Sequence, residues 1–336
     1  MKDVLLIAGP DSNDIASADV KCTGVNDVTR IQAAIDEAQS LLYPPLIKFE
    51  GTFSLKNTLW IGYAFSHTGD PFDPYAADSP AGKAKSALNI SCPSGHARFL
   101  WDGGPSDNYM VACSHPDLGL GTRFIENLVL GARHNARGLF IGHMTSGSLL
   151  DRVKVYQTRG VGIDLVQSWG LCVNRPAIVA GTGYAIRAGD WNGGTCTDLI
   201  VNSCKAGDWP TDRPEIPRAA IAVYNSSGGD IQGTQLEGNA YGEFPLIHMK
   251  AVCAKGLINL RIEDDVSLHP IVVENSEVCT IERASGLMLA PGSEHLIEFI
   301  RGGGNSARQI KAWNVRGSVV SLGTGKGNSA SGIVKG

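Results

Sequence analysis

The stretch GVGIDLVQSWGLCVNRPAIVAGTGYAIRAG, residues 160–189, decides the fold. It holds two short apolar strands, GIDLV (162–166) and AIRAG (185–189), with another, PAIV (176–179), between them. Ile163 and Ile186 occupy the same place in their strands. Working outward, the same kind of strand returns as GLFIG (138–142), AIAVY (220–224), LIHMK (246–250), PIVVE (270–274), LIEFI (296–300) and VVSLG (319–323). Leu139, Ile163, Ile186, Ile221, Ile247, Ile271, Ile297 and Val320 then align as one inward column, at steps of 24, 23, 35, 26, 24, 26 and 23 residues. Alternation within a strand means that one face is buried. A period near two dozen residues between strands means that coils stack, because one coil cannot bury its own apolar face.

A second strand precedes most of these: NLVL (127–130), RVKV (152–155), PAIV (176–179), DLIV (198–201), GTQL (233–236) and NLRI (259–262). The long step matches an insertion, GDWPTDRPEIPR (207–218), whose three prolines forbid a central strand. A propeller needs about 40 residues per blade, and a leucine-rich horseshoe needs a repeated Asn/Leu pattern that is absent here. The alternative is a β-sandwich with accidental spacing. The expected fold is all-β: a right-handed parallel β-helix of about eight coils over 122–323, after an N-terminal cap and opening coils (1–121) and before a flexible tail (324–336).

Upstream, DVTRIQAAIDEAQSLL (27–42) places Val28, Ile31, Ile35, Ala38 and Leu42 on one helical face, with Asp27 at the N-cap and Pro44 and Pro45 as a stop. The strand pattern LIKFEGTFSL (46–55) follows, and 62–86 reads as irregular loop. The 336 residues, 43% hydrophobic with 41 glycines, suit many short strands and turns. The net charge of −4, without a basic patch interleaved with aromatics, argues against nucleic acid as a partner. No run approaches the roughly 18 apolar residues of a membrane span. VLLIAG (4–9) is too short and lacks a basic leader for a secretory signal, so no membrane insertion is expected and the location stays open. The eight cysteines are scattered without a CxxC pair, which suits buried thiols and gives no metal-site spacing. No metal or cofactor is expected.

The opening GVNDVTRIQAAIDEAQ (24–39), followed by a strand and GTFSLKNTLWI (51–61), resembles the start of the pectate-lyase-like β-helix superfamily. That resemblance implies a helix closing the N-terminal end of the β-helix. It also implies a polysaccharide as partner, in the manner of phage tailspikes and polysaccharide depolymerases, with a virion as one possible setting. It is weak for chemistry, because the superfamily holds lyases, hydrolases, epimerases and binders. The polygalacturonase signature is not met: Asp264-Asp265 and Arg152-Val153-Lys154 occur in reversed order, and Gly142-His143 lacks the second glycine.

Stacked residues lie about 4.8 Å apart along the axis, so outward columns can assemble a site. Aligning Leu130, Val155, Ile178, Val201, Leu236 and Ile262 puts Gly131, Tyr156, Val179, Asn202, Glu237 and Glu263 in the next column. Glu237 and Glu263, joined by Asp264 and Asp265, are the candidate catalytic residues, since glycoside hydrolysis divides acid and base between two carboxyls. The insertion supplies Trp209, Asp212 and Arg213 as candidate sugar contacts, and Tyr241 follows Glu237 closely. The alternative is that these acids are solvated turn residues.

The outward column Phe140, Asp164, Arg187, Ala222, His248, Val272, Glu298, Ser321 suggests a surface Asp164–Arg187 pair worth under about 1 kcal/mol. A lyase would instead use Arg187 or Arg261 to neutralise a uronate carboxylate, with a Lys, Arg, His or Tyr as base; His269 is a further candidate proton carrier, though Pro270 directly after it favours a structural role at a strand end. Outward apolar positions (Phe140, Val129, Ile200, Val272) suggest a side-by-side homotrimer.

Overall fold

The computed structural model describes residues 3–41, 43–62, 88–92, 97–114, 124–142, 144, 146–189, 196–202, 204–209, 219–242, 244–263, 266–287 and 293–336. Among them, three parallel sheets of 13, 12 and 10 strands run along a solenoid, with a small three-stranded sheet beside the third. Each coil gives one strand to each sheet in turn. Leu149–Asp151, Lys154–Tyr156 and Ile163–Val166 make one coil, and Cys172–Asn174, Ala177–Val179 and Ile186–Ala188 make the next. Eight of the ten strands of the third sheet fall between residues 137 and 321, matching the expected number of coils.

The predicted inward column is observed in full. Leu139 pairs with Ile163, and Ile186, Ile221, Ile247, Ile271, Ile297 and Val320 follow in register. All are buried, and each contributes about 1.5–3 kcal/mol. At the N-terminal end Phe49, Phe53 and Phe99 fill the interior, with Phe53 stacked on Phe99 at 4.9 Å.

The corner between the first and second sheets is turned by single residues with left-handed backbone. Arg152, Arg175, Asn259, Arg283 and Gln309 have φ between 51° and 56°. Such a conformation costs an L residue about 1–2 kcal/mol. It is held because the corner N–H groups stay in the ladder: Arg152 donates to the Asn174 carbonyl at 2.8 Å, and Arg283 to the Arg308 carbonyl at 3.0 Å. Hydrogen bonding therefore runs round the corner.

The helix spans Val28–Ser40 and buries Val28, Ile31, Ile35 and Ala38; Leu42 lies outside the described residues. Asp27 stands at the cap position, but its carboxylate accepts from the Thr23, Gly24 and Ser54 N–H groups, tying the chain before the helix to the second sheet. Gln32 accepts from the Trp60 N–H and donates to the Trp60 carbonyl, both at 2.9 Å. The side-chain amide thus occupies the edge strand of the third sheet, whose open polar groups otherwise invite pairing with another chain.

Coil pairing starts within the segment read as N-terminal cap and opening coils: Val4–Ala8 pairs with Leu46–Glu50, and Thr52–Leu55 and Leu59–Gly62 open the other two sheets. Other expectations need correction. The segment expected as a flexible tail carries strands at Ser329–Ser331 and Val334–Lys335, both paired with the preceding coil. Val201 is not in the second-sheet column. It lies in the first sheet beside Val173 and Ile231, and Ala206 takes the expected place between Ile178 and Leu236. Phe140 and Val272, two of the four grounds for a trimer, are buried within the single chain; Val129 is half-buried and Ile200 exposed.

Candidate functional site

The second sheet presents two outward columns on either side of its buried one. The first runs Arg98, Val129, Lys154, Ala177, Lys205, Gln235, Arg261, Ser285, Lys311. The second runs Leu100, Gly131, Tyr156, Val179, Gly207, Glu237, Glu263, Leu287. Glu237 and Glu263 are therefore register neighbours on adjacent strands, with Gly207, not Asn202, on the other side of Glu237.

The two carboxylates have different surroundings. Glu237 is exposed and accepts from the Gln235 side-chain amide at 3.1 Å. Glu263 is half-buried, 2.5 Å from the Arg261 guanidinium, which fixes it as an ion-paired carboxylate. Trp209 ends the strand Lys205–Trp209 in register with Asn239, and Tyr241 lies within the strand Gln235–Gly242. Asp212, Arg213, Asp264 and Asp265 lie outside the described residues.

The outward face of the third sheet differs from expectation. Asp164 is fully buried. It accepts from Arg187 Nε at 2.9 Å and Nη2 at 2.5 Å, and from the Tyr109 hydroxyl. Burial and the neighbouring Asp164 charge push the Tyr109 phenol up. For Arg187, burial opposes its charge, but Asp164 more than offsets this and raises its pKa. The pair is a buried lock on the sheet, and Arg187 is not offered to a ligand. Three residues earlier in the chain, Tyr184 lies under the same guanidinium.

Further along that face, His248 Nε2 lies 3.2 Å from Glu274, with its ring edge-on to Tyr224, and Lys250 lies 3.1 Å from the same carboxylate. Burial pushes Glu274 up, but the hydrogen bonds and charges of Lys250 and His248 outweigh it and leave its carboxyl below the ordinary range. His269 lies 3.1 Å from Glu298. Six of the eight thiols are buried, Cys253 is exposed and Cys172 is intermediate; burial pushes the Cys204 thiol up to about 12. Among the described residues no group of three or more His, Cys, Asp or Glu is arranged to hold a metal ion, and no helix is long and apolar enough to cross a membrane.

Sequence reasoning named Arg261 but missed Lys154 and Lys311, which stand in the same outward column. Their signal was a basic residue directly before the inward residue of a strand, as in Lys154-Val155, Arg261-Ile262 and Lys311-Ala312.

No family profile matches the chain, and no curated protein is significantly similar in sequence. Solved structures do match. A surface adhesin of Streptococcus pneumoniae, PfbA, aligns over 93% of this chain and 90% of its own at 12% identity and TM-score 0.50. ORF18 of Geobacillus virus E2 aligns over 97% and 62% at 10% identity and TM-score 0.53. Tailspike protein 3 of bacteriophage CBA120 aligns over 98% and 58% at 8% identity and TM-score 0.50. The chain thus spans about three fifths of the two phage proteins. At these identities the likeness speaks for architecture: the chain has the parallel β-helix fold that an adhesin and a phage tailspike also have.

Proposed function

We infer that the chain binds a polysaccharide along the outward face of its second sheet, and that Glu237 and Glu263 are the carboxyl pair at which a glycosidic bond is cleaved. The observation that supports this is their register on adjacent strands. A strand spacing of about 4.8 Å is close to the about 5–5.5 Å carboxyl separation of retaining enzymes. On this reading Glu263, fixed by Arg261, is the nucleophilic carboxylate, and the open Glu237 gives its proton to the leaving oxygen. Asp264, Asp265, Trp209, Asp212, Arg213 and Tyr241 remain proposed members of the site. The chain's solved relatives in fold include a protein described as an adhesin and another described as a tailspike.

The second reading is a non-catalytic binder, favoured by the Arg261–Glu263 ion pair, which occupies the second carboxylate. Lyase chemistry loses Arg187 to Asp164 and keeps Arg261 only in a pair with Glu263. A panel of capsular and plant polysaccharides, scored for reducing ends and for ultraviolet absorbance from a new C=C bond, separates the three. The expected result is reducing ends from at least one polymer, lost more than about 100-fold in Glu237→Gln at unchanged melting temperature. Binding without cleavage overturns the hydrolase, and an absorbance rise replaces it with a lyase.

A side-by-side homotrimer also remains a proposal, resting on exposed Ile200 (38%) and Trp169 (50%). A monomer mass by light scattering at micromolar concentration removes it.

A further inference from the structure

Near the C-terminal end of the solenoid, a cavity of about 430 Å³ opens over the corner between the first and second sheets. Its walls are Arg283, Ala284, Ser285, Gln309, Lys311 and Gly332. Arg283 and Gln309 are left-handed corner residues of successive coils, and Ser285 and Lys311 are register partners. The backbone ladder therefore sets the cavity wall.

Charge at this corner is one-sided. Lys311 is exposed and has no acidic partner among the described residues. Arg283 lies 3.5 Å from Glu282, with both side chains open to solvent, a contact that water and salt weaken. Arg308, exposed, is the register partner of Glu282 on the next coil. Arg283, Arg308 and Lys311 thus outnumber Glu282 at this corner. Beside them Trp313, two residues after Lys311, donates its N–H to the Gly286 carbonyl at 3.1 Å and so continues the same strand pairing. Trp313 as a residue is 36% exposed. An aromatic face can stack on a sugar ring while neighbouring cations neutralise its charged substituent.

We propose that this corner is an anionic-sugar subsite: Arg283 and Lys311 take a carboxylate or sulfate group of a polysaccharide, Ser285 and Gln309 take hydroxyls, and Trp313 stacks on a ring. The assignment rests on the proposed polysaccharide function and gives it a substrate class, an acidic polymer. The subsite lies one to two coils beyond Glu263 in the same sheet, since Glu263 pairs with Leu287 and Ser285 with Lys311. A chain held here extends along the stack toward the carboxyl pair.

The test measures binding of alginate, hyaluronate and heparin, with dextran as the neutral control, to the whole protein, to Arg283→Gln/Lys311→Gln and to Trp313→Ala. The expected result is that at least one acidic polymer binds at low salt and dextran does not. The double variant then loses at least tenfold in affinity at unchanged melting temperature, Trp313→Ala loses several-fold, and raising salt weakens the wild type more than the double variant. Tight binding that the double variant retains overturns the subsite while leaving the polysaccharide reading standing. Equal binding of dextran overturns the acidic substrate class. No binding to any of the four polymers overturns the subsite, and if the wider panel is also neither bound nor cleaved, the polysaccharide reading fails with it. The cations are exposed, so the substitutions do not threaten folding; Arg301→Gln, exposed on the third sheet and away from both the cavity and the carboxyl pair, reports on any general loss of positive charge.

Discussion

Replacing Asp164 with alanine tests whether the outward face of the third sheet is a buried lock or a solvated surface. Asp164 has no exposed surface and accepts two hydrogen bonds from Arg187 and one from Tyr109. The Arg187 side chain is 19% exposed. An exposed pair of this kind contributes under about 1 kcal/mol. Removing one member of a buried pair costs about 3–5 kcal/mol, because the surviving charge stays desolvated without its counterion. The expected loss for Asp164→Ala is therefore about 3–5 kcal/mol in urea unfolding followed by circular dichroism. The pair's attraction largely offsets the desolvation of both members, so Asp164→Leu/Arg187→Met should recover part of the loss, staying about 1–3 kcal/mol below wild type because the buried Tyr109 hydroxyl loses Asp164 as its acceptor. A single variant within 1 kcal/mol of wild type, or a double variant as unstable as the single, would refute the buried-lock reasoning.

Three further outcomes follow from the interior. Asn305 is fully buried, with its Oδ1 accepting from the Cys279 N–H and its Nδ2 donating to the Ser276 carbonyl. Asn305→Ala strands both backbone groups and should cost about 2–4 kcal/mol in the same unfolding measurement. Lys255 is 1% exposed and donates to the Leu199 and Gly228 carbonyls, and burial brings its pKa down to about 8 from 10.5. Between those values the unfolded chain holds more protons, so this residue adds stability as pH rises from about 8 to 10.5, and the gain is lost as pH falls back through 8. The size is on the order of 3 kcal/mol, read as the difference in pH dependence between wild type and Lys255→Met; parallel profiles contradict it. Ile247→Ala, in the inward column with neighbours Ile221 and Ile271, should lower stability by about 2–5 kcal/mol. A loss below 1 kcal/mol would mean that the coils collapse around the void.

What the sequence shows and hides follows from how the corners are made. The third-sheet column was legible because its strands carry several alternating apolar residues and stand clear of their neighbours in sequence. The first and second sheets merged in the reading because one left-handed residue joins them. RVKV and NLRI begin with the corner residues Arg152 and Asn259, followed by a buried Val153 or Leu260. DLIV looks the same, since Asp198 is also left-handed (φ 51°) and Leu199 is also buried. Its corner, however, is the one that leads into the first sheet. The true second-sheet strand of that coil, KAGDW, carries the small Ala206 at its inward position and so gave way to the more apolar IVN. Glu237 and Glu263 escaped this error because they lie beyond it, on coils where the corner residues Gly233 and Asn259 are followed by well-marked strands. Adjacency along the stack is thus a property of spacing, and spacing can be counted. Burial is a property of what covers a face, and Asp164 and Arg187 carry no local sign of their cover. Lys311 went unnoticed for a related reason: Arg261 was legible only through its acidic neighbours, and Lys311, two positions before Trp313, looks like an isolated surface charge until the register puts it in one line with Arg261 and Ser285.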